Sequence, residues 1–283
     1  MKKIKLIATD LDGTLFNDNK QISDENLKAI EDACAMGIFV VPATGRALYT
    51  IPQNVLELNC INYAITSNGA DVIDLKTGKS IYKNQLDAKT ALEVINAGLD
   101  MDIMVEIFVN GKAYTLKKFA DKLVYYGVNP KFTDWIMETR NIIESFSDIL
   151  SKGNTVENIN LIFTDLNKRK EMYKYLTENL DVEVTNSLGY NLEAGKKGCS
   201  KGDALEKLAE FLGINMKDTM CLGDNENDRD MLSRAGISVA MSNGEGSIKS
   251  AVTYISNSNN DNGFAEAVYK FAVLKKGEVK WAL

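Results

Sequence analysis

Histidine is absent from all 283 residues, and that gap alone removes whole classes of chemistry. A histidine nucleophile, a Ser–His–Asp relay and a His-ligated metal site are all excluded. Cysteine is scarce as well. Cys34, Cys60, Cys199 and Cys221 form no C-x-x-C pair, and none has the arginine six residues on that a Cys-dependent phosphatase needs. With no secretory signal they read as reduced thiols of a cytoplasmic protein. Long hydrophobic runs are missing: none approaches the length that spans a bilayer. The apolar stretch after the basic start MKK ends at Asp10, well short of a signal peptide's apolar core. Positive charge is in short supply, with 33 Lys and Arg against 39 Asp and Glu and a net charge of -6. The pairs Lys117–Lys118 and Lys275–Lys276 stand isolated and read as solvated surface. Neither a nucleic-acid nor a membrane partner is therefore expected. What remains for chemistry is carboxylates, lysine, hydroxyls and a hard metal ion.

The length suits two modest domains. Ile4–Thr9 reads as a short apolar run ended by acidic residues, the pattern of a buried parallel strand. A helix is expected from Asp24 to Met36, with Ser23 as N-cap, Ile22 and Leu27 as a hydrophobic staple and Gly37 just past its end. Strands are expected at Ile38–Pro42, Tyr63–Ile65, Thr219–Leu222 and Ile237–Met241. Alternation of strands and helices implies α/β architecture, a Rossmann-like parallel sheet with helices on both faces. The middle differs. Strand patterns occur at Val105–Val109, Ala113–Leu116, Asn158–Phe163, Val182–Thr185 and Gly189–Glu193, with helical patterns at Phe119–Tyr126 and Lys168–Asn179. Asn110-Gly111 between two alternating runs signals a hairpin. This reads as an α+β module with an antiparallel sheet, spanning 84–194, inserted into a core of 1–83 and 195–283.

Four polar signals fall at strand carboxyl ends, where open parallel sheets collect ligands. They are Asp10 with Asp12, Thr44, Ser67–Asn68, and Asp224 to Asp228. Asp10, Asp12, Asp224 and Asp228 would gather up to four negative charges in one crevice, whose repulsion calls for a cation. Oxygen-only ligands select a hard ion, and Mg²⁺ fits a site shared with a phosphate. Lys201 follows the N-cap Ser200, where a cation opposes the helix dipole, and its place makes sense if it faces those carboxylates. Thr44–Gly45 and the turn at Gly13 can present a hydroxyl and N–H groups to an anion. Gly78-Lys79-Ser80 is no P-loop, because position 73 is Ile where the first glycine is required.

DLDGTL at 10–15, ATGR at 43–46, SNGA at 67–70, SKG at 200–202 and GDNENDRDML at 223–232, in this order, resemble the haloacid dehalogenase superfamily. The likeness spans the whole chain and is to the Cof-type phosphatases with a large α/β cap of the C2 type. The resemblance implies that Asp10 is the nucleophile, forming an aspartyl-phosphate, and that Asp12 is the acid and base. It implies Mg²⁺ on Asp10, the Asp12 carbonyl and Asp224, with Asp228 outside them. Leu11, Thr44, Gly45, Lys201 and Asn227 would bind the phosphoryl group of the substrate. VAMSNG at 239–244 departs from the family's usual Gly-Asn-Ala after the methionine.

The substrate class implied is a small phosphorylated metabolite, a sugar phosphate by default. The chain would act as a monomer or weak homodimer, its cap opening and closing over the site. A sugar phosphomutase, or a phosphosugar-binding regulator without turnover, are the alternatives. Asn158, Asn160, Glu193 and Lys196 are candidates to reach the leaving group from the cap.

Overall fold

A computed structural model describes residues 4–273. The basic start MKK and the Lys275–Lys276 pair lie outside the described residues. In chain order, β1 (Leu6–Thr9) leads to α1 (Asp24–Ala35), β2 (Phe39–Pro42), the short α2 (Gln53–Leu56) and β3 (Tyr63–Thr66). β4 (Asp71–Asp74) and β5 (Lys79–Lys83) follow, then α3 (Ala88–Asp100), β6 (Met104–Val109) and β7 (Lys112–Leu116). Next come α4 (Lys117–Ala120), α5 (Thr133–Thr139), β8 (Arg140–Ile143), α6 (Ser147–Leu150) and β9 (Asn158–Ile162). After α7 (Leu166–Asn179), β10 (Val182–Thr185) and β11 (Asn191–Lys196) stand α8 (Lys201–Phe211), β12 (Thr219–Gly223) and α9 (Arg229–Arg234). The last described elements are β13 (Ile237–Met241), α10 (Gly246–Lys249), β14 (Tyr254–Ser256) and α11 (Gly263–Phe271).

The core sheet runs β14-β13-β12-β1-β2, every neighbouring pair parallel. β1 is buried on both faces, as its unbroken Leu-Ile-Ala run requires. Ile7, Val40 and Leu222 pack under α1 and α11, while Leu6, Val41 and Cys221 pack under α8 and α9. β3 joins beyond β2 through a single parallel bridge, Ala43 to Ile65, and continues into the antiparallel β4 and β5. The chain moves outward from β1 in one direction and later from β12 in the other. The carboxyl ends of β1 and β12 therefore flank a topological switch point.

The cap is a six-stranded sheet, β10-β11-β9-β6-β7-β8, antiparallel except for β7 with β8. Its two faces differ. Val105, Ile107, Ile159, Leu161, Leu192 and Ala194 pack with Val94 and Ile95 of α3 and Met172 and Leu176 of α7. The opposite face carries Glu106, Asn160 and Glu193, which are register partners in one row across β6, β9 and β11. Phe108 and Ala113, also on that side, close with Ala47 of the core, so the polar face looks at the core.

Most expected elements appear where the patterns put them. Ser23 caps α1 by accepting from the Asn26 N–H, and Asn110 and Gly111 take φ of +50° and +74° in the β6–β7 turn. The expected helix at Phe119–Tyr126 is not formed: α4 stops at Ala120. An edge-on contact of Phe119 with Tyr126, at 4.9 Å, and the Tyr126 hydroxyl's bond to Asp102 draw that segment into successive turns instead. β11 begins at Asn191, not Gly189, because the Asn191 side chain accepts from the Ser187 and Leu188 N–H groups and folds the preceding residues into a turn.

Candidate active site

β1, β2, β3 and β12 all end on one edge, and the residues just past them meet there. Lys201, the first residue of α8, is fully buried. Its Nζ lies 2.7 Å from Asp10 Oδ1 and 2.6 Å from Asp228 Oδ1. Burial alone would favour the neutral amine, but the charges of Asp10 and Asp228 outweigh it and raise the lysine pKa above its ordinary value. α8 is pinned in place: the Ser200 hydroxyl caps Asp203 N–H and donates to Asp230.

Asp10, Asp224 and Asp228 each bring a carboxylate oxygen within 4.8 Å of the others, and all three are buried. Among the described residues no other trio of Asp, Glu or Cys side chains converges so closely. Burial first, then repulsion from Asp228, Asp224 and Asp12, pushes the Asp10 carboxyl well up despite Lys201. Burial and then the Asp228 charge raise Asp224 to about 7. One ammonium facing three buried carboxylates leaves a deficit of positive charge. An all-oxygen donor set with that deficit suits a hard divalent cation. The Thr14 hydroxyl fixes Asp224 at 2.7 Å, and a Cβ on Gly13 would come within 2.6 Å of the same carboxylate. Asp228 also accepts from the N–H groups of Asp224 and Asn225, at 2.9 and 3.1 Å, which folds the loop on itself.

The Asp12 carboxylate is held by cations other than Lys201. Its Oδ2 accepts from Arg46 Nε at 2.6 Å, its Oδ1 from Arg46 Nη2 at 2.9 Å, and Lys20 Nζ lies 2.7 Å from Oδ1. The surrounding protein tends to raise the Asp12 pKa, yet Arg46 and then Lys20 hold it well below the usual carboxylate range. Arg46 in turn lies over the cap's Trp135 ring, 4.8 Å from its centroid.

Thr44 is buried, its oxygen Oγ1 accepting from Arg46 N–H. Asn68 links three expected phosphoryl-binding positions. Its N–H donates to the Thr44 carbonyl, its Oδ1 accepts from Asn227 at 3.0 Å, and a Cβ on Gly45 would stand 3.1 Å from that Oδ1. Its amide also donates to Glu193 of the cap at 2.7 Å. Leu11 is buried in the hydrophobic layer under α1, so only its main chain is left to meet a ligand.

Of the cap candidates, Asn158, Asn160 and Glu193 lie on the core-facing side of the sheet. Lys196 does not reach the site: three residues beyond Glu193, it falls on the other face and is exposed. Glu193 is buried, and burial raises its carboxyl against bonds from Ser187, Asn68 and Asn191. Glu106 sits fully buried between Arg140, at 2.9 Å, and Asn160, at 2.9 Å. Asn191 joins Asn160 to Glu193. The unusual SNG at 242–244 is tied in firmly: Asn243 donates to the Gly13 carbonyl and Glu245 N–H to the Asp224 carbonyl.

Arg46, Thr14 and Asn68 were present inside recognised motifs but carried no assigned task; their places in ATGR, DLDGTL and SNGA were the available signal. Lys20, Glu106 and Arg140 carried none, because only the tertiary fold brings them in.

A family model described as haloacid dehalogenase-like hydrolase matches residues 7–268. The 5-amino-6-(5-phospho-D-ribitylamino)uracil phosphatase YcsE of Bacillus subtilis is 33% identical over 265 residues, covering 94% of each chain. A second B. subtilis protein of that description, YwtE, is 28% identical over 278 residues, covering 93% of this chain and 96% of its own. A solved haloacid dehalogenase-like hydrolase from B. subtilis matches with a TM-score of 0.84 at 29% identity, covering 95% of this chain and all of that one.

Proposed function

This chain belongs to the haloacid dehalogenase-like hydrolases and is a phosphatase, and from that premise we propose that it hydrolyses a phosphorylated sugar with Mg²⁺. The observation carrying this reading is the buried Lys201 ammonium, bonded at once to Asp10 and Asp228 at the carboxyl edge of the sheet. Asp10, the Asp12 carbonyl and Asp224 would hold the ion, with Asp228 behind them. When bound, it offsets the charge of the phosphate and orients it.

The chain's own residues supply the rest. Asp10 attacks phosphorus and forms an aspartyl-phosphate as the ester oxygen departs with a proton from Asp12. Asp12, now a carboxylate, takes a proton from water as the water attacks phosphorus, releasing phosphate and restoring Asp10. Lys201, Thr44, the Gly45 and Leu11 main chain and Asn227 stabilise the charge on the transferring group. A carboxyl held as low as Asp12 is a poor donor, so the first step requires the substrate to loosen the grip of Arg46 and Lys20.

The inserted cap, assigned to 84–194, supplies selectivity. Its row of Glu106, Asn160 and Glu193, with Arg140 and Asn191, offers hydrogen bonds to a molecule rich in hydroxyls. A second reading, a phosphoribitylamino-pyrimidine, is favoured by the descriptions of the two B. subtilis relatives. Phosphate release measured across hexose phosphates, pentitol phosphates and that pyrimidine, with and without Mg²⁺, separates the two. No release from any phosphate ester by wild type, alongside full release by a control phosphatase, overturns both.

A further inference from the structure

Ser67, Asn68 and Gly69 take φ of +51°, +57° and +99° in succession. Side-chain-bearing residues rarely adopt this left-handed backbone, and a run of it persists only where its surroundings enforce it. One side of the loop is pressed onto α8: a Cβ on Gly69 would fall 2.1 Å from the Ser200 carbonyl oxygen. The other side is held by the cap, through two carboxylates on two adjacent residues. Ser67 Oγ donates to Glu157 Oε2 at 2.8 Å, and Asn68 Nδ2 donates to Glu193 Oε2 at 2.7 Å.

Glu157 has a second attachment. Its Oε1 accepts from the Gly111 N–H at 2.7 Å, at the tip of the β6–β7 hairpin. That tip rests on the core, where the Tyr49 N–H donates to the Gly111 carbonyl at 2.8 Å and Leu48 leaves only 3.1 Å to a Cβ on Gly111. Glu157 is buried, and the hydrogen bonds to its carboxylate come from a hydroxyl and a peptide N–H. Burying a carboxylate on neutral donors is costly, so the position invites a role beyond filling space.

We infer that Glu157 is a positioning residue for phosphoryl transfer, acting through Ser67 on Asn68, the residue that joins Thr44, Gly45 and Asn227. Because the same carboxylate holds the hairpin tip, seating of the cap and assembly of the phosphoryl cradle are a single coupled event. This rests on the function proposed above for the cradle residues, but the coupling itself is readable without turnover.

The test uses the full chain with Mg²⁺ and three variants, Glu157→Ala, Glu157→Gln and Ser67→Ala, each first checked for an intact thermal transition. With p-nitrophenyl phosphate, Glu157→Ala lowers kcat at least tenfold and moves KM less than threefold, since the cradle matters most as charge develops. Glu157→Gln recovers much of that loss, because its amide can still accept from Gly111 and donate to Ser67 Oγ. Ser67→Ala resembles Glu157→Ala. Hydrogen–deuterium exchange accompanies the kinetics: Glu157→Ala speeds exchange at 67–70 and at 109–112 together. A folded Glu157→Ala with kcat within twofold of wild type overturns the inference and leaves the phosphatase reading intact. Exchange that rises at one segment alone, or at neither, overturns the coupling whether or not the wild type turns over any ester. Equal deficits in the Ala and Gln variants overturn the hydrogen-bonding role.

Discussion

The Asp12 carboxylate accepts from Nε and Nη2 of Arg46, at 2.6 and 2.9 Å, while that guanidinium lies over the cap's Trp135 ring, 4.8 Å from its centroid. A cation that holds a core carboxylate and sits over a cap ring ties Asp12 to the cap.

Arg46→Ala should let Asp12 titrate at higher pH than in wild type, which carboxyl-carbon NMR of Asp12 reads directly. The sign follows from the wild-type depression. A carboxyl held low in the fold stabilises the protein above its ordinary pKa of about 4, and that support is lost as pH falls. The variant should therefore be less sensitive to acid unfolding than wild type over this range. An unmoved Asp12 titration would show that Lys20 alone sets it.

Asp224 gives the opposite sign. Its carboxyl is raised to about 7, and Asp10 is raised as well. The folded protein then holds protons that the unfolded chain releases from about pH 4 upward, so metal-free protein loses stability as pH rises toward 7. Melting in chelator at pH 5 and pH 7.5 should show this, and Mg²⁺ at about a hundred times its Kd should add about 5 °C at the higher pH. Asp224→Asn should flatten the pH trend and remove most of the Mg²⁺ effect.

Gly69→Ala places a methyl against the Ser200 carbonyl oxygen at a backbone φ of +99°. Strain and overpacking together should cost at least about 3 kcal/mol. For a chain of this size that is a fall in Tm of roughly 6–12 °C. A smaller drop would mean that the loop and the start of α8 can separate.

Asn160→Leu removes a hydrogen-bonding side chain from the middle of the cap's polar row and takes one donor from Glu106, leaving it to Arg140. KM for the best metabolite found should rise about tenfold or more, while kcat/KM for p-nitrophenyl phosphate stays within about threefold. Equal losses on both substrates would place Asn160 outside leaving-group recognition.

The core was legible because its chemistry sits at strand ends. Asp10, Thr44 and Asp224 each follow a short apolar run, and parallel pairing then brings them to one edge whatever the side chains between them do. Lys201 could be read as misplaced at a helix start, and it is in fact turned inward onto Asp10 and Asp228. The cap was less legible. Arg140 and Glu106 lie 34 residues apart and meet only through strand pairing, and β8 is a short strand whose residues show no clean alternation. At Phe119–Tyr126 a helical spacing lost to aromatic packing. Glu157 carries no local signal at all, since its meaning depends on where Ser67 and Gly111 come to rest.

The two-faced cap sheet has a last consequence. Adhesion between surfaces depends on what water does when they part. The face turned to the core presents Glu106, Asn160 and Glu193, which water solvates readily, while the greasy face stays sealed beneath α3 and α7. A cap lifted from the core would thus uncover hydrogen-bonding groups in this row rather than its sealed hydrophobic layer, and of the row's bonds only the one from Asn68 to Glu193 would be exchanged for water.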